Sequence, residues 1–304
     1  MNTTFNIKEI ALVFLTYLLS GLALGSVYAI IALGYTMVYG IAKMLNFAHG
    51  DIIMAGGYIA YYACTRFNLP WWLCIVFSII TCIVIGVLVE RFAYKPLRKA
   101  SSLSVLITAI GVSYFLQNSA QLIFGSDTKI FPDLLTTGLI KLFDDQLIIP
   151  YLTIITIVVC LIIMTVLLLF IYKTKTGKAM RACAEDKGAA QLMGINVDTT
   201  ISITFAIGSG LAAVASILLC STYPSLYPTL GSMPGIKAFT AAVFGGIGSI
   251  PGAFLGGLLL GVIENLTKAY ISTQLSDAIV FAVLIIVLLI KPTGLLGKNN
   301  NEKV

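Results

Sequence analysis

Few residues of this sequence have side chains suited to chemistry, and most of them lie within strongly apolar stretches. The only histidine, His49, stands close to Asn46 and Asp51 in the run Asn46-Phe47-Ala48-His49-Gly50-Asp51. A metal site would need further ligands at regular spacing, and a serine hydrolase would show a nucleophile motif such as G-x-S-x-G. The chain has neither, so we predict no catalytic residue, no metal and no cofactor. We expect Asn46, His49 and Asp51 to anchor an interrupted helix through hydrogen bonds.

A second ionisable group, Glu264, lies in the apolar run 252–272. A charged side chain at membrane depth is costly and indicates a functional site. Lys268 follows one helical turn later and could form an ion pair with Glu264. Two roles therefore remain open, a structural ion pair and a part of a translocation path.

The segment 173–198 is the most highly charged part of the sequence and separates two long apolar runs. Asp186 is suited to cap a short helix over Lys187–Met193, and Gly194 stands where a helix commonly ends. The apolar residues of that helix would either lie on lipid headgroups or dock against a soluble partner. The charged residues are Lys173, Lys175, Lys178, Arg181, Lys187, Glu185, Asp186 and Asp198, and the apolar ones are Ala189, Ala190, Leu192 and Met193.

The composition is that of an integral membrane protein. Of 304 residues 59% are hydrophobic and 11% are charged, against about 25% charged residues in a soluble domain. The basic residues lie between apolar runs, so the net charge of +6 marks topology and predicts no nucleic-acid partner.

A transmembrane helix needs about 20 apolar residues, and the apolar runs predict their positions. We predict an all-α polytopic membrane protein with about eight or nine transmembrane helices, some of them short or interrupted, forming one domain over residues 1–304. The clear runs are 10–33, 70–90, 103–124, 150–172, 199–220 and 252–272, and the weaker ones are 47–65, 235–248 and 276–290.

Lys and Arg accumulate in cytoplasmic loops, which orients the chain. The loops 91–100 and 173–198 and the tail from Lys291 are rich in cations, whereas 125–149 is acidic and 221–234 is uncharged. We therefore expect the N-terminus outside and the C-terminus in the cytoplasm. The charges counted in these loops include Lys99, Asp144, Asp145 and Glu302.

Two glycine-rich segments, 34–57 and 231–257, interrupt the hydrophobic pattern at corresponding places of two weakly related, inverted halves. Such interruptions indicate a translocation path, although the glycines could instead permit close helix crossings, as the spacing of Gly21 and Gly25 suggests. On the first interpretation the path is bordered by Asn46, His49, Gly50, Asp51, Gly245, Gly246 and Glu264.

The chain contains no G-x-x-x-x-G-K-[ST] sequence, so an ATPase driving transport would have to be a separate polypeptide. Three segments together make the sequence similar to the permease subunits of bacterial branched-chain amino-acid ABC transporters of the LivH type. They are LALGSVYAIIALGYTMVYGIAKMLNFAHGDIIMAGGY (22–58), TGKAMRACAEDKGAAQLMGIN (176–196) and FTAAVFGGIGSIPGAFLGGLLLGVIE (239–264).

This resemblance implies a multi-pass permease in the bacterial inner membrane that imports leucine, isoleucine or valine. It implies as partners a second related permease, two cytoplasmic ATPase subunits that bind the ATP, an extracytoplasmic binding protein and the lipid bilayer. It also makes 173–198 the cytoplasmic coupling loop. The residues that it assigns to coupling are Arg181, Ala182, Glu185, Asp186, Ala189, Ala190 and Gly194.

One position departs from the coupling pattern of ABC importers, because Gly188 stands where an acidic residue precedes the two alanines. Two other functions are the alternatives. A secondary transporter or channel would need ion-coordinating groups at mid-membrane, and an intramembrane aspartyl protease would need a second aspartate and a glycine at Ala48. Related permeases carry urea, amides or sugars, so the resemblance leaves the cargo least defined.

Overall fold

A computed structural model describes residues 7–98, 100–135, 138–142 and 147–297. Lys99, Asp144, Asp145 and Glu302, which entered the charge count, lie outside these ranges. The described chain forms eleven α-helices: α1 (Ile7–Ala42), α2 (His49–Thr65), α3 (Trp71–Val89), α4 (Ser102–Phe124), α5 (Tyr151–Lys173), α6 (Lys175–Glu185), α7 (Lys187–Leu192), α8 (Val197–Thr222), α9 (Ser232–Gly245), α10 (Ile250–Tyr270) and α11 (Ser276–Ile290). A π turn, Glu90–Tyr94, and a 3-10 turn, Lys95–Leu97, prolong α3.

Six of these helices are long and apolar enough to cross a membrane, so the protein is a polytopic helical membrane protein. They cover Ala11–Ala42, Trp71–Leu97, Ser102–Phe124, Tyr151–Lys173, Val197–Thr222 and Ile250–Tyr270. The helices α2, α9 and α11 are shorter, with 17, 14 and 15 residues. The total of eight or nine crossings and the two inverted halves stay predictions.

The described chain is mostly helical, as the predicted all-α class requires, and the exceptions are in the connections at one end of the bundle. Four short strands occur there: β1 (Lys129–Ile130), β2 (Leu139–Leu142), β3 (Leu147–Pro150) and β4 (Ser225–Leu226). β2 and β3 pair as an antiparallel hairpin, while β1 pairs with β4 and so joins two connections that are far apart in sequence. The β-branched isoleucines of β1, β2 and β3 favour strands where the chain is too short to form another crossing.

The helix α1 forms the centre of the bundle. It packs most extensively against α10 and also contacts α8, α9 and α5, and its residues from Val27 to Val38 are buried. Glycines permit the closest of these contacts, because a Cβ atom at Gly25 would lie 2.6 Å from the carbonyl oxygen of Leu258. The alternative interpretation of the G-x-x-x-G spacing, a close helix crossing, is therefore confirmed for Gly21 and Gly25.

The two interruptions are shorter than the sequence predicted. The helix α1 continues through Gly34 and Gly40, and only Lys43–Ala48 separates it from α2. Likewise, only Gly246–Ser249 separates α9 from α10. Most of the glycines in the two segments lie inside helices where a neighbouring helix leaves no room for a side chain, as the alternative interpretation of close helix crossings predicts.

The segments predicted to be cytoplasmic lie together at one end of the bundle, called here the coupling end. The turns after α3 contact the start of α8 through Arg98 and Asp198. The nitrogen of Leu296 donates to the carbonyl oxygen of Gly245 over 2.9 Å, which brings the segment after α11 to the same place. The grouping agrees with the charge pattern, and the side of the membrane on which this end lies stays a prediction.

Candidate coupling and translocation sites

The predicted coupling loop 173–198 contains two helices, α6 and α7, rather than the single one predicted. Thr174 caps α6 by accepting a hydrogen bond from the nitrogen of Gly177 (3.0 Å). Asp186 caps α7 by accepting from the nitrogens of Gly188 (2.7 Å) and Ala189 (3.1 Å), which confirms the predicted cap. The prediction did not include α6, although its buried residues Gly177, Met180 and Cys183 recur at helical spacing.

The end of α7 also follows the prediction to within one residue. The helix ends at Leu192, and Gly194 has φ +83°, in the left-handed region that favours glycine. The nitrogen of Ile195 then donates to the carbonyl oxygen of Ala190 over 3.0 Å. The short helix is therefore fixed at both ends by its own sequence.

The apolar residues of α7 divide between the protein and its surface. Ala190 is buried against the bundle, which corrects the expectation that the whole apolar face lacks a packing partner. Leu192 and Met193 are 90% and 82% exposed. A groove of about 550 Å³ runs between α6 and α7, and its walls include Ala182, Glu185, Asp186, Ala189 and Ala190.

Arg181 belongs to a different face of α6 from this groove. Its guanidinium carbon lies 5.0 Å from the ring centroid of Tyr172. The side chain borders a second cavity, together with Gly40, Lys43 and Gly248. The predicted coupling residues therefore form two neighbouring surfaces, one containing Arg181 and the other containing the groove.

Lys187 connects α7 to the centre of the bundle. Its Nζ atom donates to the carbonyl oxygen of Ala42, the last residue of α1, over 2.7 Å. Burial lowers the pKa of Lys187, and the positive charges of Arg98 and Lys43 lower it further. A cation at the C-terminus of a helix also interacts favourably with the helix dipole.

A second connection at the coupling end is a cluster of charged residues around Glu90. Arg98 forms ion pairs with both Glu90 and Asp198, and the hydroxyl of Ser202 donates to Oε2 of Glu90 over 2.7 Å. Lys95 lies 2.8 Å from Asp198 at the exposed side of the cluster. These contacts hold the end of α3 against the start of α8, directly after the coupling loop.

The predicted path residues Gly50 and Asp51 border a cavity of about 250 Å³ between α2, α4 and α9, called here the Asp51 cavity. The Nε2 atom of Gln117 donates to Oδ1 of Asp51 over 2.8 Å. The same nitrogen lies 3.2 Å from the hydroxyl oxygens of Ser113 and Ser232. The cavity thus has one polar wall built from three helices.

Asn46 and His49 lie next to this cavity without lining it. Oδ1 of Asn46 accepts a hydrogen bond from the hydroxyl of Tyr94 over 2.9 Å, so Asn46 anchors the connection before α2, as predicted. His49 is buried with its ring centroid 4.7 Å from that of Tyr35. Its Nε2 atom has no hydrogen-bond partner among the described residues, so the predicted anchoring bond is absent at that nitrogen.

The remaining residues that were predicted to border the path lie outside the Asp51 cavity. Gly245 and Gly246 lie at the coupling end beside the segment 291–297. Glu264 forms ion pairs with Lys268 (2.6 Å), as predicted, and with Lys237 (2.8 Å). Oε2 of Glu264 accepts from the Tyr28 hydroxyl over 2.9 Å.

Three important residues escaped the sequence analysis. Lys237 lies in α9, where it is buried and also pairs with Asp277 over 2.7 Å. Glu90 and Gln117 stand within or at the end of apolar runs. Each is a polar group in apolar sequence, the same signal that drew attention to Glu264.

A family model described as "Branched-chain amino acid transport system / permease component" matches residues 17–288. The chain belongs to this family. It is 47% identical over 301 residues to the high-affinity branched-chain amino acid transport system permease protein BraD of Pseudomonas aeruginosa, covering 96% of this chain and 98% of that protein. It is 45% identical to LivH of Salmonella typhimurium, covering 98% of this chain and all of that protein.

A more distant relative is the probable branched-chain amino acid transport permease protein LivH of Methanocaldococcus jannaschii. It is 29% identical over 283 residues, covering 88% of each chain. All three relatives are named as transport permeases, so this permease is a transport protein and not an enzyme.

Proposed function

We propose that this permease is the membrane-spanning subunit of an ATP-driven importer of leucine, isoleucine and valine. It works with a second related permease, two cytoplasmic ATPase subunits that bind ATP, and an extracytoplasmic binding protein that delivers the cargo. The location is the bacterial inner membrane, with the N-terminus outside and the C-terminus in the cytoplasm. The relatives named for branched-chain amino acids support this cargo.

The observation that carries the proposal is the construction of the helix pair α6–α7. Both helices have side-chain caps, and Lys187 ties the pair to the end of α1. Leu192 and Met193 nevertheless expose apolar surface beside the groove. A rigid element that presents apolar surface to the cytoplasm is suited to dock against an ATPase subunit and to transmit its movement.

We place the translocation path at the Asp51 cavity. The helices α2 and α9 both begin beside it, since Gly50 and Ser232 are in its lining. The two helices are also in close contact there, because a Cβ atom at Gly235 would lie 3.0 Å from the Cα atom of Gly50. Interrupted helices that begin at membrane depth are a common feature of transporter binding sites. Gly245, Gly246 and Glu264 do not line this cavity, so we assign to them a role in packing the helices.

Purification of the tagged permease from its native membrane tests the subunit composition. We expect a second permease and ATPases with a P-loop to be recovered in fixed stoichiometry, as identified by mass spectrometry. A stable and homogeneous permease without companions would contradict the proposal and favour a secondary transporter or channel.

Reconstitution of the complex into liposomes tests the energy source and the cargo. Uptake of radiolabelled leucine should require both enclosed ATP and external binding protein, and isoleucine and valine should compete with it. Uptake that responds only to a proton or sodium gradient would contradict the ATP-driven mechanism. Competition by urea, short amides or sugars but not by isoleucine would contradict the proposed cargo.

A further inference from the structure

We propose that the Asp51 carboxylate is the binding site for the ammonium group of the transported amino acid. The inference rests on the proposed function, because it assigns one chemical group of the cargo to a residue of the proposed path. Three properties support it: the charge balance of the buried acids, the two kinds of wall around the cavity, and the size of the cavity.

The charge balance distinguishes Asp51 from the other buried acids. Glu90, Glu264 and Asp51 are each only 1% exposed. Arg98 pairs with Glu90, and two lysines pair with Glu264. Among the described residues, no cation forms an ion pair with Asp51.

A buried carboxylate without a cation carries a large desolvation penalty. The amide of Gln117 orients the Asp51 carboxylate but does not neutralise its charge. An ionisable group in this position inside a membrane is by default a candidate for contact with the transported solute. A cation that enters the cavity would therefore neutralise Asp51, as Arg98 neutralises Glu90.

The walls of the cavity match the two ends of an aliphatic amino acid. The lining includes a polar part, with Asp51, Gln117 and Ser232, and an apolar part, with Phe47 and Ile110. The ammonium group would meet the polar part, and the branched side chain would lie against the apolar part. An inorganic cation has no apolar group that could pack against the apolar part of the lining.

The cavity also has a suitable size and an opening. Its volume of about 250 Å³ is many times the space that a single water molecule needs. Ile110 and Tyr114 line it and are themselves 44% and 63% exposed, so the cavity reaches the surface of the bundle.

Labelling of a cysteine in the cavity tests the proposal in the purified complex. With Ser113→Cys as reporter, a cationic reagent, 2-aminoethyl methanethiosulfonate, should react several-fold faster than the anionic 2-sulfonatoethyl reagent. Asp51→Asn should abolish this preference, whereas Asp51→Glu should retain it. The complex without Ser113→Cys gives the background from native cysteines, and Asp127→Asn, at an exposed site outside the cavity, should leave the preference unchanged.

Protection experiments identify the group that Asp51 binds. Leucine and 3-methylbutylamine at millimolar concentration should slow the labelling, whereas 4-methylpentanoate, which lacks the ammonium group, should not. Asn at position 51 can still accept the hydrogen bond from Gln117, so we expect the variant to fold, which size-exclusion chromatography and thermal unfolding would verify.

Several results would overturn the proposal. The first is an absence of labelling. The second is an equal rate of labelling by the cationic and the anionic reagent, which a protonated Asp51 would give. The third is equal protection by leucine and 4-methylpentanoate. The labelling requires neither ATP nor the binding protein. A failure of ATP-driven uptake with intact charge preference and protection would thus contradict the proposed function and leave this inference standing.

Discussion

The side chain of Lys187 donates a hydrogen bond to the main-chain carbonyl oxygen of Ala42, 2.7 Å away, and so joins α7 to the end of α1. Ala42 is followed by the short connection Lys43–Ala48 and then by α2, which carries Asp51 in its first turn. A displacement of α7 would thus act on the chain segment that leads directly to the Asp51 cavity. This contact connects the proposed docking surface with the proposed path.

Replacement of Lys187 by methionine should therefore separate ATP hydrolysis from transport. The change removes a hydrogen bond from a charged donor, a contribution of about 1.5–3 kcal/mol, while the groove and both caps remain. We expect a complex that assembles and hydrolyses ATP but takes up leucine several-fold more slowly in liposomes. Lys173→Met, at an exposed position, is the matched control, and equal uptake by the two variants would argue against the connection.

Reversal of the charge at Arg181 tests the second surface of the coupling loop. In Arg181→Glu the cation–π contact with Tyr172 is lost, and an anion stands beside Gly40 and Gly248. We expect uptake to be abolished while the variant remains in the membrane at the normal amount, as measured by immunoblotting. Arg181→Lys retains the charge and should keep most of the uptake, and undiminished uptake by Arg181→Glu would remove Arg181 from the coupling residues.

The helical structure of α7 can be tested with proline at two adjacent positions. In Ala190→Pro the hydrogen bond from the nitrogen of residue 190 to the carbonyl oxygen of Asp186 is lost, and the ring must enter a buried site. A proline in a helix costs about 3 kcal/mol or more, so we expect loss of ATPase binding in co-purification. Ala189→Pro lies in the first turn and loses only a bond to the capping side chain, so its effect should be smaller.

Features that depend on residues within one helical turn could be predicted from the sequence, whereas contacts between helices could not. Asp186 and Gly194 mark the ends of a helix by local chemistry, and both were predicted correctly. The pairing of Glu264 with Lys268 was also predictable, because the residues are one helical turn apart. The partner Lys237 was not, since it approaches Glu264 from another helix.

In the Asp51 cavity, too, one residue could be recognised from the sequence and its contact with another helix could not. Asp51 is conspicuous in the sequence as a charge in an apolar run, but its partner Gln117 is 66 residues away. The extent of the helix breaks was misjudged for a related reason. Gly34 and Gly40 destabilise a helix in isolation, and only the surrounding helices determine that α1 continues through them.

The ion pair between Arg98 and the buried Glu90 should contribute strongly to the stability of the fold. In Arg98→Ala the carboxylate of Glu90 would stay buried with only the Ser202 hydroxyl, and breaking such a pair costs about 3–5 kcal/mol. Lys95→Ala is the matched control, because Lys95 contacts the same Asp198 at an exposed site, where a pair contributes about 0–1 kcal/mol. We expect a much lower midpoint of thermal unfolding in detergent for Arg98→Ala alone, and similar midpoints would contradict the assignment.

The crossing of α1 and α10 predicts opposite effects for the same substitution at two glycines. In Gly261→Ala the new methyl group would collide with the main chain of Gly25, so the helices must separate, and such overpacking costs about 1–3 kcal/mol. In Gly111→Ala the methyl group meets no atom within 4 Å, and alanine stabilises a helix by about 0.5–1 kcal/mol relative to glycine. Thermal unfolding in the same detergent should therefore show a lower midpoint for Gly261→Ala and an unchanged or higher one for Gly111→Ala. Equal shifts of the unfolding midpoint in the two variants would contradict the conclusion that the close approach of α1 and α10 requires glycine at position 261.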